Sequence, residues 1–401
     1  MKILQINIFG NLSTGKIAVD LYKTLKLAGH EGIVAFARNT IAEDVPNIKI
    51  GSKWSVYMDG ILSRLTDRAG FYSKRATRRL IEQIKEYDPD IIHLHNLHGY
   101  YINIELLFAY LRESGKPVVW TLHDCWAFTG HCCYYSMAGC DKWKLGCSQC
   151  AQRHSYPKSL VMDNSQNNYL RKRKLFTSIP NLRLVCVSNW LAEEVKQSFL
   201  REIPCYVIHN GIDTDVFQYT EGSFRKRYNL EGQKIVLSVS SSWSDERKGL
   251  QDVLHLAKLA RGAYKVVVVG LTEEEKRQMP EDIVAITRTN SMQELAETYS
   301  AADYFFNASV EETFGLPTVE AMACGTPVIV YDATALPEVV NEKCGIVVPE
   351  HDIQAVRSII TGEYAFDRSE VSKCAEPFGK KIMMERYLAL YSDALQETAE
   401  K

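Results

Sequence analysis

The 401-residue chain lacks three features that would assign it to a class at once. No run approaches roughly eighteen uninterrupted apolar residues, so no transmembrane helix is expected. Neither charge is in excess. The 47 Lys and Arg against 49 Asp and Glu leave a net charge of −2, too little to draw the chain to nucleic acid by a global field. Residues Met1 to Ile8 form a strand-like run without a basic leader, a long apolar core or a small-residue cleavage site. No signal peptide is therefore expected, and a cytoplasmic location follows. In that reducing setting the 11 cysteines are not expected to form a general disulfide framework. What is present, 46% hydrophobic and 24% charged residues, is normal for a globular chain, and the length suits two domains.

Short apolar runs alternate with longer amphipathic ones. Lys2–Ile8, Ile33–Phe36, Ile91–His95, Val118–Leu122 and Arg183–Val187 read as strands, with helical patterns such as Ile17–Leu27 and Arg75–Glu86 between them. After Asn210-Gly211-Ile212-Asp213 a second series runs Ile235–Val239, Val266–Val269, Ile283–Ile286, Tyr304–Asn307 and Val328–Val330. The expectation is α/β: two Rossmann-like domains facing a central cleft, with ligands beyond the carboxyl ends of the strands. Phe378 to Leu395 reads as an amphipathic terminal helix.

The densest signal is Glu311 to Gly325, E-E-T-F-G-L-P-T-V-E-A-M-A-C-G. Pro317 suits a first helical position, and Gly325 with Pro327 stops the helix. The helix would present free N–H groups and a positive dipole end to the loop at Gly315. Glu312 and Glu320 flank that turn. An anion cradle with hydroxyl acceptors on either side is what a nucleotide sugar requires.

The same stretch resembles the E-x7-E signature of retaining glycosyltransferases of family four, which have the GT-B fold. The resemblance spans nearly the whole chain. Asn210-Gly211-Ile212-Asp213 with Phe217 is similar to the interdomain hinge, Lys248-Gly249-Leu250 to the K-G element, and Glu294 to Asp303 to the segment leading into the signature. Ser13 to Ile17, Thr121 to Trp126, Phe128-Thr129-Gly130 and the cysteines that follow resemble a bacterial subgroup that builds exopolysaccharide and colanic-acid-like repeat units. The resemblance implies an acceptor domain over residues 1–209, a nucleotide-sugar domain over 210–376, and a segment 377–401 whose helix returns to the first domain.

It also implies roles. Lys248 would neutralise the departing diphosphate, His123 would sit near the reacting sugar carbon, and Glu312 would accept bonds from sugar hydroxyls. Glu320 would take the ribose, with Thr313, Phe314, Gly315 and Leu316 lining the loop and Asn290 near the base. The family's usual upstream Arg is missing from Val239-Ser240-Ser241-Ser242-Trp243, and Arg247 is the candidate to replace it. Gly15 would let a backbone approach the donor phosphates or the acceptor. Its loop is close to a Walker A motif, but Ile17 has no hydroxyl for Mg²⁺. The literal D-x-D, Asp213-Thr214-Asp215, lies in the hinge and reads as a turn, so no catalytic metal is expected.

His93, His95 and His98 read as structural or acceptor contacts rather than as a metal site. Cys132, Cys133, Cys140, Cys147 and Cys150 crowd into one segment. Structural zinc on Cys132 (or Cys133), Cys140, Cys147 and Cys150, free thiols, and a disulfide all stand as readings. Leu62 to Glu86 carries seven basic residues against three acidic ones, with apolar bulk interspersed, and Arg171 to Lys174 adds a second basic cluster. Either an anionic leaflet or polyprenyl-diphosphate acceptor, or simply a solvated face, would suit this pattern.

The expected activity is retaining, metal-independent transfer of a hexosyl unit from a UDP or GDP sugar. The acceptor would be a glycan or a polyprenyl-diphosphate-linked molecule, in bacterial surface polysaccharide synthesis at or near the inner face of the plasma membrane. The rivals are a sugar-nucleotide epimerase or phosphorylase, and a degenerate binding protein.

Overall fold

The computed structural model describes residues 1–12 and 14–399. Ser13 of the first glycine loop, and residues 400 and 401 of the expected segment 377–401, lie outside the described residues. The chain divides into two compact units, Met1–Ile208 with Met384–Lys401, and His209–Met383.

The first unit is built on β1 (Lys2–Phe9), β2 (Glu31–Arg38), β3 (Asn47–Lys49), β4 (Ile91–Leu94), β5 (Val118–Leu122), β6 (Leu182–Cys186) and β7 (Cys205–Val207). Among the described residues they form one sheet in the order β3-β2-β1-β4-β5-β6-β7, parallel throughout. Every residue of β4, β5 and β6 is buried, as expected of strands covered by helices on both faces. Strand order reverses between β1 and β4. The carboxyl ends of these strands and of β5 carry Gly10, His95 and His123. The terminal helix, Lys380–Ala399, buries Tyr387 and Tyr391.

The second unit holds β8 (Ile235–Val239), β9 (Lys265–Val269), β10 (Ile283–Ile286), β11 (Tyr304–Asn307), β12 (Val328–Tyr331) and β13 (Gly345–Val348). Their order is β10-β9-β8-β11-β12-β13, again parallel. Val236, Val266, Val268, Phe306 and Ile329 pack against Val253, Leu256, Val356 and Ile360 from the helices Leu250–Leu259 and Ile353–Thr361. Here the order reverses between β8 and β11, so the loops leaving these neighbouring strands share the switch point where open α/β sheets bind ligands.

The long apolar runs became strands within a residue or two of expectation. The short edge strands β3 and β7 and the edge strand β13 were not anticipated. The terminal helix begins two residues later than the amphipathic pattern suggested and extends to Ala399. Asp213 behaves as a turn residue: its carbonyl accepts the N–H groups of Val216 at 3.1 Å and Phe217 at 2.8 Å.

Candidate active site

In the second unit the loop after β8 turns through a short 3-10 helix, Glu246–Lys248, capped by the Asp245 side chain. Gly249 follows with φ 69°, and a Cβ there would lie 2.0 Å from the Ala308 carbonyl oxygen. Only glycine lets the Lys248 loop press this closely on the end of β11. The Val310 N–H donates to the Arg247 carbonyl at 2.9 Å, stitching the two loops together.

This seating brings Lys248 Nζ to 2.5 Å from Glu312 Oε1, across 64 residues of sequence. Both side chains are only partly buried. The Glu312 backbone is fixed by Thr334, whose Oγ1 accepts its N–H at 2.9 Å and donates to its carbonyl at 2.8 Å. Arg247 points differently. Its guanidinium pairs with Asp245 and its Nε lies 3.8 Å from the buried Glu311. That pairing makes it a brace for the loop.

Gly315 has φ 87° and caps the helix Leu316–Ala323, with Pro317 in its first turn. A Cβ on Gly315 would meet Leu336 at 2.7 Å. No side chain caps that helix end; Pro317 has no N–H and the Thr318 N–H donates to the Gly315 carbonyl at 2.9 Å, so the Leu316 N–H is the first-turn donor left without an intrahelical acceptor. Thr313 and Phe314 are buried behind the turn, with the Phe314 ring 5.8 Å from His209 and 5.6 Å from Phe378. One turn into the helix, Glu320 accepts the Tyr299 hydroxyl at 2.9 Å, which aims its carboxylate. Tyr299 was not singled out from sequence, because no local pattern joins it to a glutamate 21 residues on. Asn290 is exposed, and among the described residues its side chain donates to Glu294 at 2.8 Å rather than to this group.

In the first unit, Gly15 opens the helix Thr14–Leu27, and a Cβ there would lie 2.5 Å from the Phe9 carbonyl oxygen. Packing of helix on strand end therefore already requires glycine at that position. His123 ends β5 as expected, and a hydrogen-bonded chain sets its state. Gln5 Nε2 donates to the Ala18 carbonyl at 2.7 Å, which turns Gln5 Oε1 toward His95 Nε2 at 3.1 Å. His95 must therefore carry its proton on Nε2, and its Nδ1 accepts from His123 Nε2–H at 3.2 Å. The His123 ring is thereby held as the tautomer whose lone pair is on Nδ1. Burial, with the neighbouring imidazole His98 opposing a second charge and Asp124 countering in part, pushes the His123 pKa down to about 4.

Behind it, the His93 ring lies tilted against His95 with ring centres 4.1 Å apart and bonds Tyr391 at 2.7 Å and Thr121 at 2.8 Å. His98 instead pairs with Asp124 at 2.7 Å. Gln5 and Tyr391 were missed, since each lies far in sequence from the histidine it bonds, as was Tyr387, whose hydroxyl bonds Thr121 at 2.9 Å.

None of the 11 cysteines is in a disulfide. Cys147 Sγ accepts the Gly130 N–H at 3.1 Å, and the Cys132 and Cys150 thiols are hydrogen-bonded to each other. The disulfide reading is absent from this geometry. Among the described residues, the group of metal-competent atoms lying within 4.8 Å of one another is His98, Asp124 and Cys133 rather than the four expected cysteines.

A family model described as Glycosyltransferase Family 4 matches residues 15–216, half of the chain, and one described as Glycosyl transferases group 1 matches residues 233–361. A protein of Escherichia coli K12 named as a colanic acid biosynthesis glycosyl transferase, WcaC, is 24% identical, covering 98% of this chain and 100% of its own. An O-antigen chain mannosyltransferase B of Escherichia coli is 23% identical, covering 86% of this chain and 85% of its own. Among solved structures, sucrose-phosphate synthase of Thermosynechococcus elongatus superposes with a TM-score of 0.71 at 16% identity, over 99% of both chains. Anabaena HepE in complex with UDP and glucose gives 0.67 at 15% identity, over 98% of this chain and 100% of its own. With two parallel Rossmann-like sheets and a family match over half its length, the chain belongs to glycosyltransferase family 4 and has the GT-B fold.

Proposed function

We propose that the protein transfers a sugar, with retention and without a catalytic metal, from a nucleotide-diphosphate sugar to a glycan or polyprenyl-diphosphate-linked acceptor in bacterial surface polysaccharide synthesis. The observation that carries this reading is the Lys248–Glu312 pair beside the uncapped start of the Leu316–Ala323 helix. An arriving diphosphate would draw the Lys248 ammonium and the Leu316 N–H at the helix start, releasing Glu312 to sugar hydroxyls. Glu320, aimed by Tyr299, would accept from the ribose. His123, at the end of β5, is the first unit's candidate contact for a sugar hydroxyl. The UDP and glucose named with the Anabaena structure support a nucleoside-diphosphate donor. The colanic acid and O-antigen names of the two relatives support the polysaccharide setting.

The two signature glutamates should separate kinetically. Glu320→Ala is expected to raise the KM for donor about tenfold or more through lost hydrogen bonds. Glu312→Ala should mainly lower kcat, because it leaves Lys248 unpaired and the sugar unheld. Unchanged kinetics in both variants would end the assignment. A degenerate binding protein would instead show no turnover in the parent chain.

Chelator should leave transfer intact, because the literal D-x-D sits in the hinge turn. Activity lost to chelator and restored by Mg²⁺ or Mn²⁺ would contradict this. Structural zinc on Cys132, Cys140, Cys147 and Cys150 is a separate proposal, requiring the thiols to close around the ion. Elemental analysis decides it: about one equivalent supports zinc, and metal-free, active protein leaves free thiols.

A further inference from the structure

The helix Lys53–Thr66 is amphipathic in the inverse sense. Its buried residues include Asp59, Gly60 and Ser63, while Trp54, Tyr57, Met58, Leu62 and Leu65 face outward. The inward polar face is satisfied: Asp59 accepts the Ser63 hydroxyl at 3.0 Å and the Ser73 hydroxyl at 2.5 Å. Those bonds fix the helix's rotation, so the apolar stripe has nowhere to go but out. Trp54 is 70% exposed and Tyr57 60%.

A second segment extends the patch. The N–H groups of Leu160 and Met162 donate to the carbonyls of Arg64 at 2.7 Å and Leu65 at 3.2 Å. This seats Leu160, Val161 and Met162 at the end of the helix with their side chains exposed. Eight of the 19 exposed large apolar side chains among the described residues fall in these two segments. A patch of this kind on a globular protein marks an interaction surface rather than scatter.

Charge names the partner. A cavity of about 520 Å³ borders the stripe, and Met58 and Leu62 line it together with Arg68, Lys74, Arg75 and Arg171. Of its two acids, Asp59 is buried in the bonds described and Glu105 pairs with Arg171. Lys53 and Arg64 stand exposed on the helix itself. Two copies meeting through this face would oppose these cations. A bilayer surface would instead receive Trp and Tyr at headgroup depth, aliphatic side chains below, and phosphates against the basic rim.

We propose that the helix Lys53–Thr66 and the Leu160–Met162 loop dock the protein on an anionic membrane leaflet. No helix among the described residues is long and apolar enough to cross a membrane, so the attachment is peripheral. The surface is argued from exposure and charge and does not depend on the donor site.

Co-sedimentation with vesicles tests it, using phosphatidylcholine alone and phosphatidylcholine with phosphatidylglycerol. The protein should bind the anionic vesicles, less so at high salt. Trp54→Ser with Val161→Ser, and separately Lys74→Glu with Arg75→Glu, should each weaken binding about tenfold or more. Unchanged melting temperature and nucleotide binding would show that both variants are folded. The proposal is overturned if the parent chain ignores anionic vesicles, or if both variants bind like it. A parent dimer that the Trp54→Ser, Val161→Ser variant dissociates would likewise assign the patch to a second copy.

Discussion

Replacing Lys248 by alanine is expected to lower kcat about 10²- to 10³-fold, the cost typical of removing one preorganised electrostatic contact to a developing charge. The fold should survive, because Lys248 is only partly buried and its ammonium bonds one side chain, Glu312. The loop is held instead by the Asp245 cap, by the Val310-to-Arg247 backbone bond and by Gly249. Rate and stability should therefore separate. Lys248→Arg should not restore the rate, since a planar guanidinium cannot occupy the point-charge position beside the helix end. A Lys248→Ala enzyme within a few-fold of the parent rate would remove the ammonium from the reaction.

Acid should destabilise the first unit steeply below pH 6.5. His93, His95 and His123 are all held below their ordinary value, His93 at about 3 and His123 at about 4, chiefly because burial penalises the charged ring. Their neighbours leave little room for a cation: the rings of His93 and His95 lie 4.1 Å apart, and those of His95 and His123 5.5 Å. The sign follows from linkage. As pH falls from 6.5 toward 4, the unfolded chain takes up protons that the folded unit refuses, so stability falls with pH. Three such imidazoles alone would give a slope approaching about 4 kcal/mol per pH unit; Asp59 offsets part of it, because burial raises its pKa to about 6 and the folded unit takes up that proton in the same window. Trp120 reports locally, because its indole N–H donates to the His95 carbonyl at 3.0 Å. Its near-ultraviolet dichroism should be lost at milder denaturant as pH drops from 6.5 to 5, and His93→Gln should flatten that dependence. A flat profile would mean that the histidines are charged or already solvated.

How legible the molecule was depended on range. The parallel strands were readable because both faces are buried, so each carries a short apolar run such as Val266–Val269 or Val328–Val330. Edge strands such as Asn47–Lys49 have no such run, and only pairing with a neighbour makes them strands. The Glu312–Glu320 turn was readable because glycine, proline and the helix start all lie within a few residues. The contacts that give those residues work were not readable. Lys248 meets Glu312, Tyr299 meets Glu320 and Gln5 meets His95 only after the sheets bring distant loops together. The helix Lys53–Thr66 shows the limit of pattern reading most plainly. Its apolar stripe has the spacing of a core face, and the bonds from Asp59 to Ser63 and Ser73 turn it outward.

The central claim is a nucleotide-diphosphate sugar site in the second unit, and calorimetric titration with UDP, GDP and their sugars tests it most directly. One base should bind the parent chain, and Glu320→Ala and Lys248→Ala should each weaken that binding about tenfold or more. Failure of every nucleotide to bind the parent chain, or equal binding to the parent and both variants, would contradict the account.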